Sequence, residues 1–237
     1  MNKYIKCEWI KIKKMHFVTY NMGIVLISIL LSIQTSRGVD GIHPISTSSL
    51  IFTFSSALLY VQLLPALIVC LIIIYIYIEE ADGGWNLILI AQNNMTWIVI
   101  IKLFIIIGMV LLAFTFYYVG IGIIFLGYGN FISFYEVIIQ IVSSLICMLP
   151  LISIFYFSFL LINTIIVKAI VGVFIIIFDF LIMQTKYCVY MPQCYYYLVI
   201  QSTSKERVIY MLISLLVFFL ISWIGIKTFK KKLNEGF

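Results

Sequence analysis

Residues 79–102 read EEADGGWNLILIAQNNMTWIVIIK. Three carboxylates, Glu79, Glu80 and Asp82, precede the double glycine Gly83–Gly84, and the polar knot Gln92–Asn93–Asn94 follows a short aliphatic piece. On both sides the chain is almost wholly apolar, from Leu50 to Ile78 before it and from Trp97 to Leu126 after it. A helix needs about 20 apolar residues to cross a hydrocarbon core, and both flanks exceed that. The stretch reads as a polar elbow between two membrane spans.

Composition makes the same point for the whole chain. Of 237 residues, 64% are hydrophobic and 10% charged, with a mean hydropathy of +1.18. A soluble domain carries about 25% charged residues. So little polar surface cannot cover a globule in water, which makes this an integral membrane protein.

The apolar runs are Phe17–Ile33, Leu50–Ile78, Trp97–Leu126, Phe134–Leu160, Thr164–Met183 and Val208–Lys227. They predict an all-α bundle of six transmembrane helices, with the fourth and fifth joined by a tight turn near Asn163. Six spans put both termini on one side. With the termini inside, eleven of the fifteen Lys and Arg residues are inside and only Arg37, Lys186, Lys205 and Arg207 outside. That asymmetry follows the positive-inside rule. Residues 17–237 form the six-span domain, residues 79–96 become a cytoplasmic elbow, and residues 184–207 an extracellular loop.

Residues 1–16 form a segment of their own. Ile5, Trp9, Ile12 and His16 share one helical face, with Lys3, Lys6, Lys13 and Lys14 around the other side. This pattern predicts an amphipathic interfacial helix on the inner leaflet, with Trp9 at headgroup depth. A plain basic juxtamembrane tail is the alternative. The basic ends face anionic lipid, and nothing points to nucleic acid.

Catalytic and metal chemistry find little to stand on. The five cysteines are Cys7, Cys70, Cys147, Cys188 and Cys194, and the histidines are His16 and His43. They form no C-x-x-C or Cys/His cluster of the kind a zinc site uses. Cys188 and Cys194 share the outer loop, either bridged or free. No H-E-x-x-H, Ser/Lys or Ser/His grouping and no pair of intramembrane acids suggests an enzyme. No G-x-x-x-x-G-K-[ST] phosphate loop is present, so ATP is not split by that device here. The sequon-like Asn94-Met95-Thr96 falls on the cytoplasmic side and is a chance match.

Ionisable residues inside spans are costly in lipid and are the first functional candidates. Lys168 is expected to snorkel at the inner end of span five, and Glu136 opens span four. Asp179 lies deeper, one or two turns from the outer end of span five. It is either a proton or cation relay, or an acid hydrogen-bonded to a neighbouring helix or reaching toward Lys186. Pro65 and Pro150 fall inside spans two and four and each removes a backbone hydrogen bond. Tyr195, Tyr196, Tyr197 and Trp223 read as substrate contacts or as part of an interfacial aromatic belt.

The elbow carries a resemblance. An acid (Glu79 or Glu80), Gly83–Gly84, the aliphatic Leu87–Ile90, the polar Asn93–Thr96 and Lys102 resemble the first cytoplasmic loop of ABC-2-type transporter permeases. Glu8-Trp9-Ile10-Lys11 is similar to the Glu-x-x-Lys of that family's interfacial helix. The six-span size, the segment MPQCYYYL (191–198) before the last span and the lysine-rich tail resemble the permeases of lantibiotic (bacteriocin) immunity transporters. One departure stands out: the family's small residue and Thr after the glycine are replaced by Gly84–Trp85.

The resemblance implies a permease subunit of the bacterial cytoplasmic membrane. It implies pairing with a second permease, as homodimer or heterodimer, and with a cytoplasmic ABC ATPase that binds ATP and Mg, this chain binding no cofactor. Glu79, Glu80, Gly83, Gly84, Trp85, Leu87 and Asn94 are then the ATPase-coupling elbow, and Ile5, Glu8, Trp9 and Ile12 the interfacial helix. The implied cargo is an antimicrobial peptide expelled from the membrane, or another amphipath such as a drug, lipid or toxin peptide. The rivals are an ATP-independent carrier or channel using Asp179, and a structural or sensory component that transports nothing.

Overall fold

The computed structural model describes residues 95–127, 134–162 and 164–234, together with Gly23 and Leu26, both helical. Apart from those two residues of the expected first span, the first two spans, the interfacial helix and the elbow up to Asn94 lie outside the described residues. Five α-helices follow in order: α1 (Met95–Gly127), α2 (Phe134–Leu161), α3 (Ile165–Met183), α4 (Tyr195–Gln201) and α5 (Ser204–Asn234). Two 3-10 turns, Lys186–Tyr190 and Pro192–Cys194, lie between α3 and α4. No strand occurs among the described residues. Four of the helices, α1, α2, α3 and α5, are long and apolar enough to cross a membrane.

These four match the last four runs of the sequence, with their ends moved by local polar chemistry. Met95 and Thr96, expected in the elbow, are the first residues of α1. The last helix starts at Ser204 rather than Val208, so the loop before it ends at Thr203 instead of residue 207. The cause is a capping box. The Thr203 amide and hydroxyl both donate to Glu206 Oε2 at 2.9 Å, and the Glu206 amide reaches back to Thr203 Oγ1 at 3.5 Å. At its other end the helix carries Lys230 and Lys231 out to Asn234. At 1.5 Å per residue, 31 residues make a rod of about 45 Å, longer than the hydrocarbon core.

α2 is the central helix, packing against α1, α4, α5 and the second 3-10 turn. Its Met148, Leu151, Ile152, Phe155, Tyr156 and Phe159 are fully buried. Pro150 stands inside it, where the missing N–H leaves one carbonyl without its helical donor. The Ser153 hydroxyl donates to the Pro150 carbonyl at 2.7 Å in the following turn. Tyr156 reaches across to α1 and donates its phenol to the Val99 carbonyl at 2.9 Å. Against α5 the contact is closer still, because Gly225 leaves room for the Phe157 ring.

The faces left open on α3 and α5 are apolar as well. Ile166, Ile170, Phe174 and Leu181 are exposed on α3, and Leu212, Leu216, Phe219 and Trp223 on α5. Water would not tolerate such faces, but hydrocarbon is the solvent they suit.

Candidate functional site

The Met183 end of α3 is closed by residues 184–203, which fold as a small cap. Thr185 ends the helix: its amide and hydroxyl donate to the Ile182 carbonyl at 2.9 and 2.8 Å, and its oxygen accepts the Tyr187 amide at 3.3 Å. The first turn follows, closed by the Met191 amide on the Cys188 carbonyl. Met191 is extended, and Pro192 starts the second turn, where a first helical position needs no N–H. Tyr195 then donates to the Val189 carbonyl at 2.9 Å and packs its ring 4.8 Å from that of Tyr210 on α5. The cap is thereby tied to itself and to the bundle.

Asp179 lies beneath this cap. It is 1% exposed, and among the described residues neither carboxyl oxygen has a hydrogen-bond partner. Gln193 of the second turn faces it without reaching bonding geometry, and Cys194 and Tyr196 stand close enough to feel its charge. Lys186 is exposed on the cap and does not pair with it. Among the described residues no bond in good geometry joins it to a neighbouring helix or to Lys186. Buried polar groups are nearly always bonded, so this one stands out.

The neighbouring groups are held neutral. Burial raises the Cys194 thiol far above its ordinary range, with Asp179 and then Cys188 adding to the effect. Burial likewise pushes the Tyr196 phenol well up, with further contributions from Asp179 and Cys194. The phenol of Tyr196 meets the Met183 sulfur at 3.8 Å. Cys188 and Cys194 are both free and buried, and the raised Cys194 thiol is a poor nucleophile because the thiolate is the reactive form. Among the described residues no three His, Cys, Asp or Glu side chains converge in a metal-binding group.

Several other sequence expectations are corrected here. Tyr195 and Tyr196 are buried cap supports, so neither belongs to an exposed aromatic belt. The exposed aromatics of the cap are Tyr187 and Tyr190. Trp223 is 19 residues down α5 from Ser204, which places it nearer the far end of the helix, under the Lys227 ammonium 5.4 Å from its ring centre. Lys168, expected to snorkel, is buried and engaged, as is Lys102 near the start of α1. The elbow residues Glu79, Glu80, Gly83, Gly84, Trp85, Leu87 and Asn94, and Ile5, Glu8, Trp9 and Ile12, lie outside the described residues.

The cap itself escaped the sequence. The polar run Gln184-Thr185-Lys186 and the Pro192 signal were available, but they mark only a loop. Comparison of the chain with family models, with characterised proteins and with solved structures yields no match.

Proposed function

We propose that this chain is the membrane permease subunit of an ATP-driven exporter of the ABC-2 type, set in a bacterial plasma membrane as six spans with both termini cytoplasmic. Its cargo is an amphipath taken from the membrane, with an antimicrobial peptide in self-immunity as the leading case and a drug, lipid or toxin peptide as the others. ATP and Mg bind a separate ATPase chain, consistent with the lack of a phosphate loop in this sequence. A second permease, identical or different, completes the pathway.

The observation that supports this most is the position of the polar insert. Residues 79–94 immediately precede α1 in the sequence, a 33-residue helix whose Val99, Ile101 and Leu103 are buried in the core. Val99, four residues into α1, is tied to Tyr156 of α2 by the 2.9 Å hydrogen bond. A displacement delivered at the elbow therefore meets a helix that cannot move alone and passes the motion to the central helix. A loop serving only to connect two spans would not need sixteen residues.

A second reading rests on Asp179. A buried acid without a partner is what an ATP-independent carrier would use to hold a coupling ion. The two readings separate on purification from native membranes in mild detergent with mass spectrometry of the companions. The exporter reading expects a phosphate-loop ATPase, lost when residues 79–91 are replaced by a Gly/Ser linker. Reproducible recovery of the chain alone, without ATP-dependent activity, overturns it in favour of the carrier.

A further inference from the structure

Asp179 poses a physical problem that neither reading of the whole protein resolves. Its side chain is 1% exposed, and among the described residues both oxygens lack a donor. An isolated carboxylate in such surroundings is strongly disfavoured, because neither water nor a hydrogen bond replaces its hydration. Something must neutralise it in this closed arrangement.

The surroundings narrow the choice. A hard metal cation asks for about six oxygen ligands, whereas the described neighbours offer the carboxyl, the Gln193 amide and a Tyr196 phenol already against Met183. A softer metal lacks a third converging ligand. No described basic side chain is bonded to it. A proton needs nothing beyond the carboxyl itself.

We propose that Asp179 is a proton-binding site that latches the cap. With its proton on, the neutral acid is accommodated beneath residues 184–203. When the proton leaves, the carboxylate must be hydrated. Of the described elements packed against α3, the two turns of the cap and α2, the cap is the one not held as a membrane-length helix and can move aside to admit water. The titratable neighbours are few. Cys194 on the second turn and Tyr196 on α4 face Asp179, and Cys188 on the first turn faces Cys194. On α2 the only charged side chain is Glu136 in the first turn, and Cys147 faces Ser214 and Tyr195. The sign follows from linkage: the closed form holds the extra proton, so closure is complete at acid pH and is lost as pH rises. This latch is independent of whether ATP drives the protein.

Cys188 and Cys194 provide the readout, being buried in the closed cap. The full chain in lipid nanodiscs is treated with N-ethylmaleimide between pH 6 and pH 9, and labelling at each cysteine is followed by peptide mass spectrometry. Dividing the wild-type rate by that of Asp179→Asn removes the thiols' own titration. The ratio is expected to rise with pH by up to about tenfold per unit, the dependence one proton gives. A ratio that stays flat, or thiols that never label in either protein, overturns the latch. Should Asp179→Asn fail to fold, amide hydrogen exchange in the wild type decides the matter. After correction for intrinsic rates, cap amides at 185–201 should lose protection with rising pH while those of α2 at 148–157 keep it. Protection in the cap that is independent of pH overturns the proposal equally.

Discussion

The ring of Phe157 on α2 occupies the space that a Cβ at position 225 on α5 would fill. The ring lies directly over the backbone of α5 there, and the glycine is what permits it. Small residues at helix interfaces serve this purpose in membranes, where close packing must do what the hydrophobic effect does in water.

Gly225→Ala is therefore expected to destabilise the bundle by about 1–3 kcal/mol, the usual penalty for overpacking. The clashing atoms include the Phe157 Cγ, so turning the ring about its own axis does not clear the methyl. In a Phe157→Ala background the same change should become neutral or slightly stabilising, since alanine is the better helix former by about 1 kcal/mol. A double-mutant cycle on unfolding in mixed micelles measures the coupling. Equal effects of Gly225→Ala in both backgrounds would show that the two helices do not pack as described.

Tyr156→Phe removes the donor to Val99 while keeping the ring. The Val99 carbonyl lies inside α1 and retains a helical partner, so no orphaned acceptor results. The expected loss is only about 0.5–1.5 kcal/mol. Tyr156→Ala, by contrast, opens a cavity in a fully buried position and should cost about 3–5 kcal/mol. Thermal denaturation in one detergent compares the two. A phenylalanine variant as damaged as the alanine one would mean that the phenol, not the ring, carries the contact.

Thr203→Ala should fray the first turn of α5. Its hydroxyl both donates to Glu206 and accepts from the Glu206 amide, so two of the three bonds of the box depend on it. The cost is about 1 kcal/mol, confined to the helix start. Amide exchange of residues 204–207 should accelerate, and Thr203→Ser should restore it. No change in exchange on removing the hydroxyl would argue that the helix begins later, as the hydropathy alone suggested.

That contrast shows what the sequence could and could not say. Membrane-length helices are legible because hydrocarbon leaves little choice: about 20 apolar residues without a break have few other fates. The turn between α2 and α3 was visible near Asn163, since Thr164 and its neighbours interrupt the apolar run. Helix ends were less visible, because one capping threonine outweighs four residues of hydropathy at Ser204. The cap was illegible, being built from bonds such as Tyr195 to Val189 and Thr185 to Ile182, which depend on where side chains meet. Asp179 was noticed as a charge in a span. Its lack of a partner is a tertiary fact, and Lys186, two turns along the sequence, was a reasonable but mistaken suggestion.

The elbow leads to the last prediction. In the sequence Gly83 and Gly84 separate the acids from the short aliphatic piece, and glycine is the residue that can take any conformation a break there requires. Proline at 84 fixes its own φ and pushes Gly83 toward an extended shape. It leaves the flanking apolar runs untouched, so the chain should still insert and, on the proposed exporter reading, still retain an ATPase partner. What should fail is the transfer of motion from the elbow into α1 and, through Val99 and Tyr156, into α2. Gly84→Pro is thus expected to hydrolyse ATP while export of the cargo falls to background, measured in proteoliposomes holding the whole complex. Normal export by this variant would remove residues 79–94 from the coupling pathway, whereas loss of hydrolysis and export together would place them in the ATPase contact itself.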